Sequence, residues 1–432
     1  MENLIWFKFC SRTCFALIFS LCCTCFLLNA QSQSNPYKIC KVDNTIKTKV
    51  YVNIHFILTE DGKCNYTAFD NGLGNTNITG LTVAQEVIDA MNSKTNQMEP
   101  MKTKKPDGTD HPHIKSSGTE YVLYSEPSNS NDLYHGVWFH NYDKYDTTIS
   151  ISDGDPNFSY EELLALNPTG YGDKVYHIFL IGVRWYIKDG IRNYSIGGTS
   201  FLQGGQRVHN GWYEQELLGS PVYGLGGILN HEFGHLTGLS HTVWVYTDPL
   251  TGQTYKNTVA LASDIDKDAE VVESNNVMTY GGSQAALSAE QFRIWRDFLL
   301  KNTTYKFIDN TNLCIKKPNP IIIPMGSNVV WDSYLELDRQ VIVEPTATLR
   351  ITCDIRTNSR ITVMRGGKLI VQASISNLCP TEFWPGIEVW GNPNKPHPPL
   401  EEIENRLLTF DDPGVVILKA ATLSKPVDGV FT

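Results

Sequence analysis

The sequence predicts an α+β domain built on a mixed sheet, followed by an all-β module that winds as a right-handed parallel β-helix. Two observations indicate this order. Up to about residue 302, apolar runs typical of strands alternate with segments of helical spacing. Beyond the proline-rich KKPNPIIIP, apolar residues recur at alternate positions in short strands. The resulting division is a leader (1–30), an N-terminal segment (31–47), a first domain (48–302), a linker (303–325) and a β-rich repeat module (326–432).

The first domain is predicted to alternate strands and helices. KVYVNIHFIL is rich in β-branched and aromatic residues, as a buried strand would be, and residues 81–98 that follow carry apolar side chains at helical spacing. We expect further strands at 119–124 and 174–183, with a short helix near YEELLALN between them, and an edge strand near GTSFL or NGWYE. Ser288 and Gln291 form a capping-box pattern, which predicts that a helix closing the domain begins there.

The repeat module has a period near 20 residues. A shift of 20 superimposes QVIVEPTATLRI on RITVMRGGKLIV, and it aligns Val341 with Ile361 and Thr346 with Gly366. Two short strands and a tight turn in each unit indicate one coil of a parallel solenoid, which GIEVWG and GVVILKAATL would continue after an insertion. An antiparallel sandwich, which also has evenly spaced short strands, is the alternative. The pattern is still in progress at Thr432, so we expect the module to extend further.

The N-terminal leader has the pattern of a secretory signal peptide. Lys8 and Arg12 precede an apolar run from Phe15 to Leu28, and Ala30 and a polar stretch follow. A membrane anchor is the alternative, but this run is about 14 residues long and a membrane span needs about 20. No later run is long enough, so the mature chain is expected to be secreted or held at the cell surface without a membrane span.

The segment HEFGHLTGLSH concentrates metal-binding side chains. His231 and His235 are four residues apart and share one face of a helix. His241 cannot join them on a straight helix, but Gly238 can adopt the left-handed conformation that ends a helix and turns the chain back. Three imidazoles are typical of a catalytic zinc site that keeps its fourth position for water, and Glu232 is then the base for that water. A chance meeting of ordinary histidines, the alternative, would have to match all these positions at once.

The same segment, with Met278 in NNVMTY downstream, resembles the metzincin zinc peptidases. Within them it is most similar to the pappalysin and cytophagalysin group, whose members often read H-E-x-G-H-x-x-G-L-x-H with N-x-M-x-Y downstream. Gly234 and Asn276 fit that form, whereas Thr279 stands where the group often has aspartate. The resemblance covers roughly residues 48–302, although its specific motifs occupy only a small part of that range.

The resemblance implies roles for individual residues. The zinc ligands would be His231, His235 and His241. Glu232 would be the catalytic base that activates a zinc-bound water, and Met278 the apolar floor beneath the histidines. Tyr280 would hydrogen-bond the tetrahedral intermediate, although a packed aromatic residue is the alternative at this position. An extended peptide substrate would bind along an edge strand between residues 197 and 214.

The mature chain keeps five cysteines, namely Cys40, Cys64, Cys314, Cys353 and Cys379. Because this number is odd, at least one cysteine cannot pair within the chain. For Cys40 we favour a disulfide with Cys64 over a thiolate ligand to the metal. The formal net charge of −10 argues against nucleic acid as a partner.

The leading hypothesis is therefore a secreted zinc-dependent endopeptidase that acts on proteins or peptides and holds one catalytic Zn²⁺. Its β-rich module would serve cell-surface or polysaccharide attachment, and a chain of residues 31–315 would fold without it. One alternative is a surface adhesin or carbohydrate-active β-helix protein with an ancillary zinc domain, although Asp354, Glu382 and Glu388 form no obvious acidic cluster. Another is a peptide-binding pseudoenzyme, against which the intact Glu232 argues. The sequence leaves calcium sites open.

Overall fold

The computed structural model describes residues 40–421, except 44, 64, 143–147, 151–159, 167–170, 183, 189–190, 196–197, 202–203, 210–221, 248–253, 259–262, 267–273, 280–283, 302–303, 397–398, 400–401, 404–405 and 420. The leader predicted for residues 1–30, the segment NGWYE and Tyr280 therefore lie outside the described residues. No helix in the described part of the chain is long and apolar enough to cross a membrane.

The first part of the chain contains four helices and twelve strands among the described residues. The helices are α1 (Gly80–Asn96), α2 (Tyr160–Ala165), α3 (Val222–Leu236) and α4 (Ala289–Lys301). The strands are β1 (Thr48–Thr59), β2 (Thr119–Leu123), β3 (Val137–Tyr142), β4 (Thr148–Ser150), β5 (Tyr176–Ile181), β6 (Arg184–Lys188), β7 (Ile191–Ser195), β8 (Gly198–Phe201), β9 (Gly205–His209), β10 (Val243–Thr247), β11 (Thr254–Thr258) and β12 (Ile308–Asp309).

Seven of these strands form one mixed sheet centred on β1. Strands β2, β3 and β5 pair with β1 in parallel, and β9 pairs with β5 in parallel. The antiparallel members are β12, which pairs with β1, and β8, which pairs with β9 and lies at the edge of the sheet. The mixed sheet and the edge strand at GTSFL agree with the sequence prediction. The edge strand precedes α3, which carries the HEFGH segment.

Strand β1 is buried on both faces, as expected for a central strand of a largely parallel sheet. Val52, Ile54 and Phe56 point to one face and join the main hydrophobic core with residues of α1, α3 and α4. His55 and Ile57 alternate with them and point to the opposite face. The two helices α1 and α3 therefore cover one face of the sheet.

Local capping agrees with the predicted helix boundaries. Thr79 precedes α1, and its side chain accepts a hydrogen bond from the backbone of Thr82 in a capping box. At α4 the Ser288 hydroxyl accepts from the Gln291 backbone at 3.2 Å, and the Gln291 side chain accepts from the Ser288 backbone at 3.0 Å. The capping box predicted at Ser288 is confirmed.

The second part of the chain is a stack of short parallel strands. These are β13 (Ile321–Ile323), β14 (Asn328–Trp331), β15 (Leu335–Leu337), β16 (Val341–Val343), β17 (Thr348–Ile351), β18 (Ile355–Thr357), β19 (Ile361–Val363), β20 (Lys368–Val371), β21 (Ile375–Asn377), β22 (Ile387–Val389) and β23 (Val415–Leu418). Residues 303–325, predicted as a linker, thus contribute β12 to the first sheet and β13 to the stack.

The 20-residue repeat is confirmed by the strand register. Val341 pairs with Ile361, and the three stacked sheets all contain parallel pairs, which excludes the antiparallel sandwich. The prediction of two strands per coil is wrong, because β15, β18 and β21 form a third sheet. The turn before the second strand of each coil recurs with a left-handed residue at Gly326, Thr346 and Gly366, whose φ angles are 73°, 64° and 70°.

A buried ion pair joins the two parts. Arg296 of α4 makes a bidentate contact with Glu336 of β15, with Nε–Oε1 and Nη2–Oε2 distances of 2.7 Å, and each side chain is only 1% exposed. The remaining donors of Arg296 bind the Thr48 hydroxyl and the carbonyl groups of Gly118 and Ile46. Burial alone would raise the pKa of Glu336, but the Arg296 guanidinium and the hydrogen bonds around it lower that pKa below its usual value. We call this cluster the junction pair.

Two disulfides reinforce the same junction. Cys40 is bonded to Cys353, and Cys314 to Cys379. The preferred pairing of Cys40 with Cys64 is therefore wrong, and so is a thiolate role for Cys40 at the metal. Sequence reasoning chose the nearer cysteine, whereas the fold brings the N-terminal segment against the β-helix, where the Tyr334 backbone donates to the carbonyl of Lys41 at 2.9 Å.

Candidate metal centre

Helix α3 ends in a turn that depends on glycine. Gly238 has a φ of +96°, a conformation that side chains with a Cβ rarely adopt. The Leu239 backbone donates to the carbonyl of Gly234 and the Gly238 backbone to that of His235, both at 3.0 Å, which is the Schellman pattern. The chain then reverses toward the helix, as expected for Gly238.

This reversal brings three histidines together. The Nε2 atom of His241 lies 2.9 Å from Nε2 of His235 and 2.9 Å from Nε2 of His231. The potential ligand atoms of the three residues all lie within 4.8 Å of one another. Among the described residues no carboxylate or thiol joins this set, and three imidazoles suit a transition metal better than calcium or magnesium.

Backbone carbonyl groups orient two of the rings. Nδ1 of His231 donates to the carbonyl of Val277 at 2.7 Å, and Nδ1 of His235 donates to the carbonyl of Leu239 at 2.9 Å. A proton on Nδ1 leaves Nε2 of a neutral ring free to bind a metal ion. Both Nε2 atoms point to the common centre, so the nitrogen atoms that these tautomers leave unprotonated are the ones that converge.

The turn around Met278 (residues 276–279), which we call the methionine turn, lies beneath helix α3. Met278 is fully buried in the main core, and a Cβ at Gly234 would collide with its sulfur atom. Gly234 is thus required because the thioether packs directly on the helix between the first two histidines. The backbone of Thr242 donates to the carbonyl of Met278 at 3.0 Å, which ties the His241 segment to the turn.

Asn276 holds the methionine turn in place. Its side-chain oxygen accepts from the Met278 backbone at 2.8 Å, and its amide donates to Gln291 of α4 at 2.7 Å. The side chain of Gln291 donates back to Asn276 at 3.1 Å. This pair connects the turn to the capping box of α4, so two separately predicted motifs meet in one hydrogen-bonded unit.

Burial keeps the three histidines neutral. It lowers the pKa of His231 to about 3, with a further contribution from the neighbouring His235, and the pKa of His241 to about 4. The pKa of His235 is lowered for the same reason. Neutral imidazole is the form that binds a metal ion, so the residues present fit a bound cation.

Glu232 is buried beside the first histidine. Burial raises its pKa to about 7, and a hydrogen bond from the backbone of Ser200 opposes that rise. Ser200 belongs to the edge strand β8. The carboxylate therefore lies between helix α3 and the sheet edge, and a group with a pKa near neutrality can both accept and release a proton.

Two polar residues near the site were missed by sequence reasoning. The side-chain amide of Gln284 lies 3.2 Å from Nδ1 of His231 and donates to the carbonyl of Thr279 at 3.0 Å. Its φ of 44° is left-handed, which is uncommon for a residue with a side chain. Ser200 also carries no motif, because its role depends on strand pairing. Tyr280 lies outside the described residues, so its role stays a prediction.

A second group of histidines lies on the opposite face of the sheet. Nδ1 of His55 is 2.9 Å from Nε2 of His140, and Nε2 of His55 is 2.9 Å from Nδ1 of His177. The carbonyl of Gly172 accepts from Nε2 of His177 at 2.9 Å, which sets one direction of donation along all three rings. Each ring bridges to the next, so this histidine array is a linear chain rather than a converging metal site.

Burial keeps the histidine array neutral as well. It lowers the pKa of His140 and of His177 to about 4, and the pKa of His55 falls well below 6.5 through burial and its two histidine neighbours. The array joins strands β3, β1 and β5 through side chains. It is separate from the candidate metal centre.

The chain matches no protein-family model, and no curated protein matches it. Among solved structures it is similar to mirolysin in complex with compound 9, at 13% sequence identity and a TM-score of 0.33. That similarity covers 61% of this chain and 95% of the mirolysin chain. A likeness this distant carries no argument about activity.

Proposed function

We propose that this protein is a secreted zinc-dependent endopeptidase of the metzincin type, most similar in its motifs to the pappalysin and cytophagalysin group. The β-helix would provide attachment to a cell surface or polysaccharide. The observation that carries the proposal is the convergence of three neutral imidazoles, held by a glycine turn and a buried methionine, beside a buried carboxylate.

His231, His235 and His241 would hold the metal ion through their Nε2 atoms. When bound there, zinc would polarise a substrate carbonyl group and make a water molecule more acidic. Imidazole ligands also suit copper, iron and nickel, so the choice of zinc rests on the motif H-E-x-x-H-x-x-G-x-x-H together with Met278.

Glu232 would act as the general base and then as the general acid. Its carboxylate accepts a proton from the attacking water, and it later delivers that proton to the nitrogen of the leaving amine. A hydrogen bond from the backbone of Ser200 would help to hold the carboxylate during both transfers. Tyr280, two residues after Met278, would donate a hydrogen bond to the developing oxyanion.

The edge strand would align the substrate. Strand β8 pairs with β9 on one side, and its other edge has no strand partner among the described residues. An extended peptide can add to such an edge through main-chain hydrogen bonds. Because Ser200 lies on this strand and contacts Glu232, a peptide bound there would pass close to the general base.

The decisive test is digestion of casein and a peptide library by residues 31–432, with and without a metal chelator. We expect cleavage that the chelator abolishes and zinc restores. Metal analysis should give about one zinc per chain. Absence of any chelator-sensitive cleavage would refute the proposal.

Glu232→Gln separates the general base from the metal ligands. The variant should keep its zinc while turnover falls by roughly 10² to 10⁴, the usual cost of losing a general base. Glu60→Gln, at an exposed glutamate, is the matched control and should retain full turnover. If Glu232→Gln remains as active as the control, Glu232 is not the base.

A further inference from the structure

Gln206 of β9 is a fully buried amide that lacks a hydrogen-bond partner within the described part of the chain. The residue is 0% exposed, and neither Nε2 nor Oε1 has a partner among the residues that the structure describes. Buried side-chain amides are almost always satisfied, because an unsatisfied one loses its hydrogen bonds to water without replacement. A leucine of similar size would avoid this cost, so the glutamine needs a reason.

The strand register places this amide on the helix side of the sheet. Gln206 is directly opposite Ile178, whose side chain belongs to the main core with Leu225, Leu229 and Phe233 of α3. Residues directly opposite each other in neighbouring strands point to the same face. The side chain of Gln206 therefore points toward α3 rather than toward the histidine array.

The same register places Gln206 beside the support of the general base. Gln206 is also directly opposite Ser200, so the Cβ atoms of the two residues lie about 4.5–5.5 Å apart on the same face. The hydroxyl of Ser200 is buried and likewise has no partner within the described part of the chain. The backbone of the same serine lies close enough to the Glu232 carboxylate to lower its pKa.

Resting on the proposed function, we infer that Gln206 is a positioning residue for Glu232. Its amide and the Ser200 hydroxyl together hold one water molecule, which hydrogen-bonds the Glu232 carboxylate from the sheet side. Gln206 thus fixes the direction in which the carboxylate faces the attacking water. It touches neither substrate nor metal, and its effect should appear in turnover rather than in substrate binding.

The closing experiment compares Gln206→Leu with wild-type residues 31–432. The variant replaces an amide that has no protein partner in the described part of the chain by an apolar side chain of nearly constant volume, so its thermal midpoint should not fall below that of the wild type. Zinc content and KM should stay unchanged. Turnover (kcat) should fall about tenfold, which corresponds to the loss of one hydrogen bond worth about 1.4 kcal/mol.

Tyr121→Phe is the matched control. The hydroxyl of Tyr121 is also buried without a partner among the described residues, and its ring packs on Phe233 of α3 from strand β2. This variant should likewise be no less stable than the wild type, but it should keep full kcat. A gain in stability alone therefore cannot explain a loss of turnover in Gln206→Leu.

A second variant tests the shared water. Ser200→Ala should lower kcat to a similar extent, and the double variant with Gln206→Leu should be no slower than the slower single variant, because both remove the same support. A crystal structure should show a water molecule within hydrogen-bond distance of both side chains.

The possible results separate a failure of the proposed function from a failure of the inference about Gln206. If the wild type shows no chelator-sensitive cleavage, the proposed function fails and the inference with it. If the wild type is active and Gln206→Leu has unchanged kcat, only the inference is wrong. If Gln206→Leu melts below the wild type, the amide has a structural partner, and the positioning role is again refuted.

Discussion

Replacing Glu336 by glutamine should show how strongly the β-helix is bound to the first domain. The substitution keeps the shape of the side chain and removes its charge. Arg296 then remains positively charged at 1% exposure, with only the hydroxyl of Thr48, two backbone carbonyl groups and a neutral amide as partners. A buried cation without a counter-ion is strongly destabilising.

The size of the effect follows from the geometry of the junction pair. Removal of one partner from a buried ion pair typically costs about 3–5 kcal/mol. The contact here is bidentate, both partners are almost fully buried, and the hydroxyl of Tyr334 also donates to Glu336 at 2.8 Å. We therefore expect a loss toward the upper end of this range, against a total of about 5–15 kcal/mol for a typical domain.

Urea unfolding followed by tryptophan fluorescence measures this loss. The control is Glu382→Gln, because Glu382 pairs with Lys316 at 3.3 Å with the two side chains 53% and 46% exposed. An exposed pair of this kind should change the free energy of unfolding by less than about 0.5 kcal/mol. If Glu336→Gln unfolds at the same urea concentration as the control, the junction pair does not hold the two parts together.

Three further outcomes are expected. Gly238→Val should weaken zinc binding, measured by competition with a chelator, because a β-branched residue is strained at a φ of +96°; unchanged affinity would mean that the turn tolerates valine. The histidine array should make the fold acid-sensitive. Burial lowers the pKa of its histidines below 6.5, so the unfolded chain binds more protons than the folded chain in this range. As the pH is lowered from 6.5 to 4, the free energy of unfolding should therefore fall by up to about 1.4 kcal/mol per histidine and pH unit. His140→Gln should reduce that slope, and an equal slope would exclude the array as its source. A chain of residues 31–315, which the sequence alone led us to expect to fold by itself, should instead fail to fold cooperatively in urea titrations, because it lacks Glu336 and Cys353; a sharp transition would show that the junction is dispensable.

Much of the fold could be predicted because its signals are local. The buried run of β1 and the helical spacing of α1 need only neighbouring residues, and the 20-residue period is a repeat within the sequence itself. The third sheet of the β-helix was missed because β18 does not alternate. Ile355, Arg356 and Thr357 are all buried, and Arg356 pairs with Asp297 of α4 in the first domain. A charged residue that is buried by a distant part of the chain does not look like a strand residue.

The candidate site also contains some residues that the sequence could predict and others that it could not. Its three histidines and Glu232 lie within eleven residues, so helix geometry and one glycine predicted their convergence. Ser200 and Gln206 could not be predicted, since their relation to Glu232 exists only through strand pairing. The partner of Cys40 was equally hidden, because Cys353 is 313 residues away and proximity in space has no local signal.

That long disulfide has a consequence for the timing of folding during synthesis. Cys353 lies 313 positions after Cys40, so a ribosome adding roughly 5–20 residues per second needs about 16–60 s to make the second cysteine after the first. The candidate metal centre, from His231 to Met278, has been synthesised well before then. The disulfide that fixes the N-terminal segment can therefore form only after Cys353 of the β-helix has been synthesised. Nascent chains arrested at increasing lengths should become resistant to added protease only after Cys353 has emerged, so any proteolytic activity would mature last.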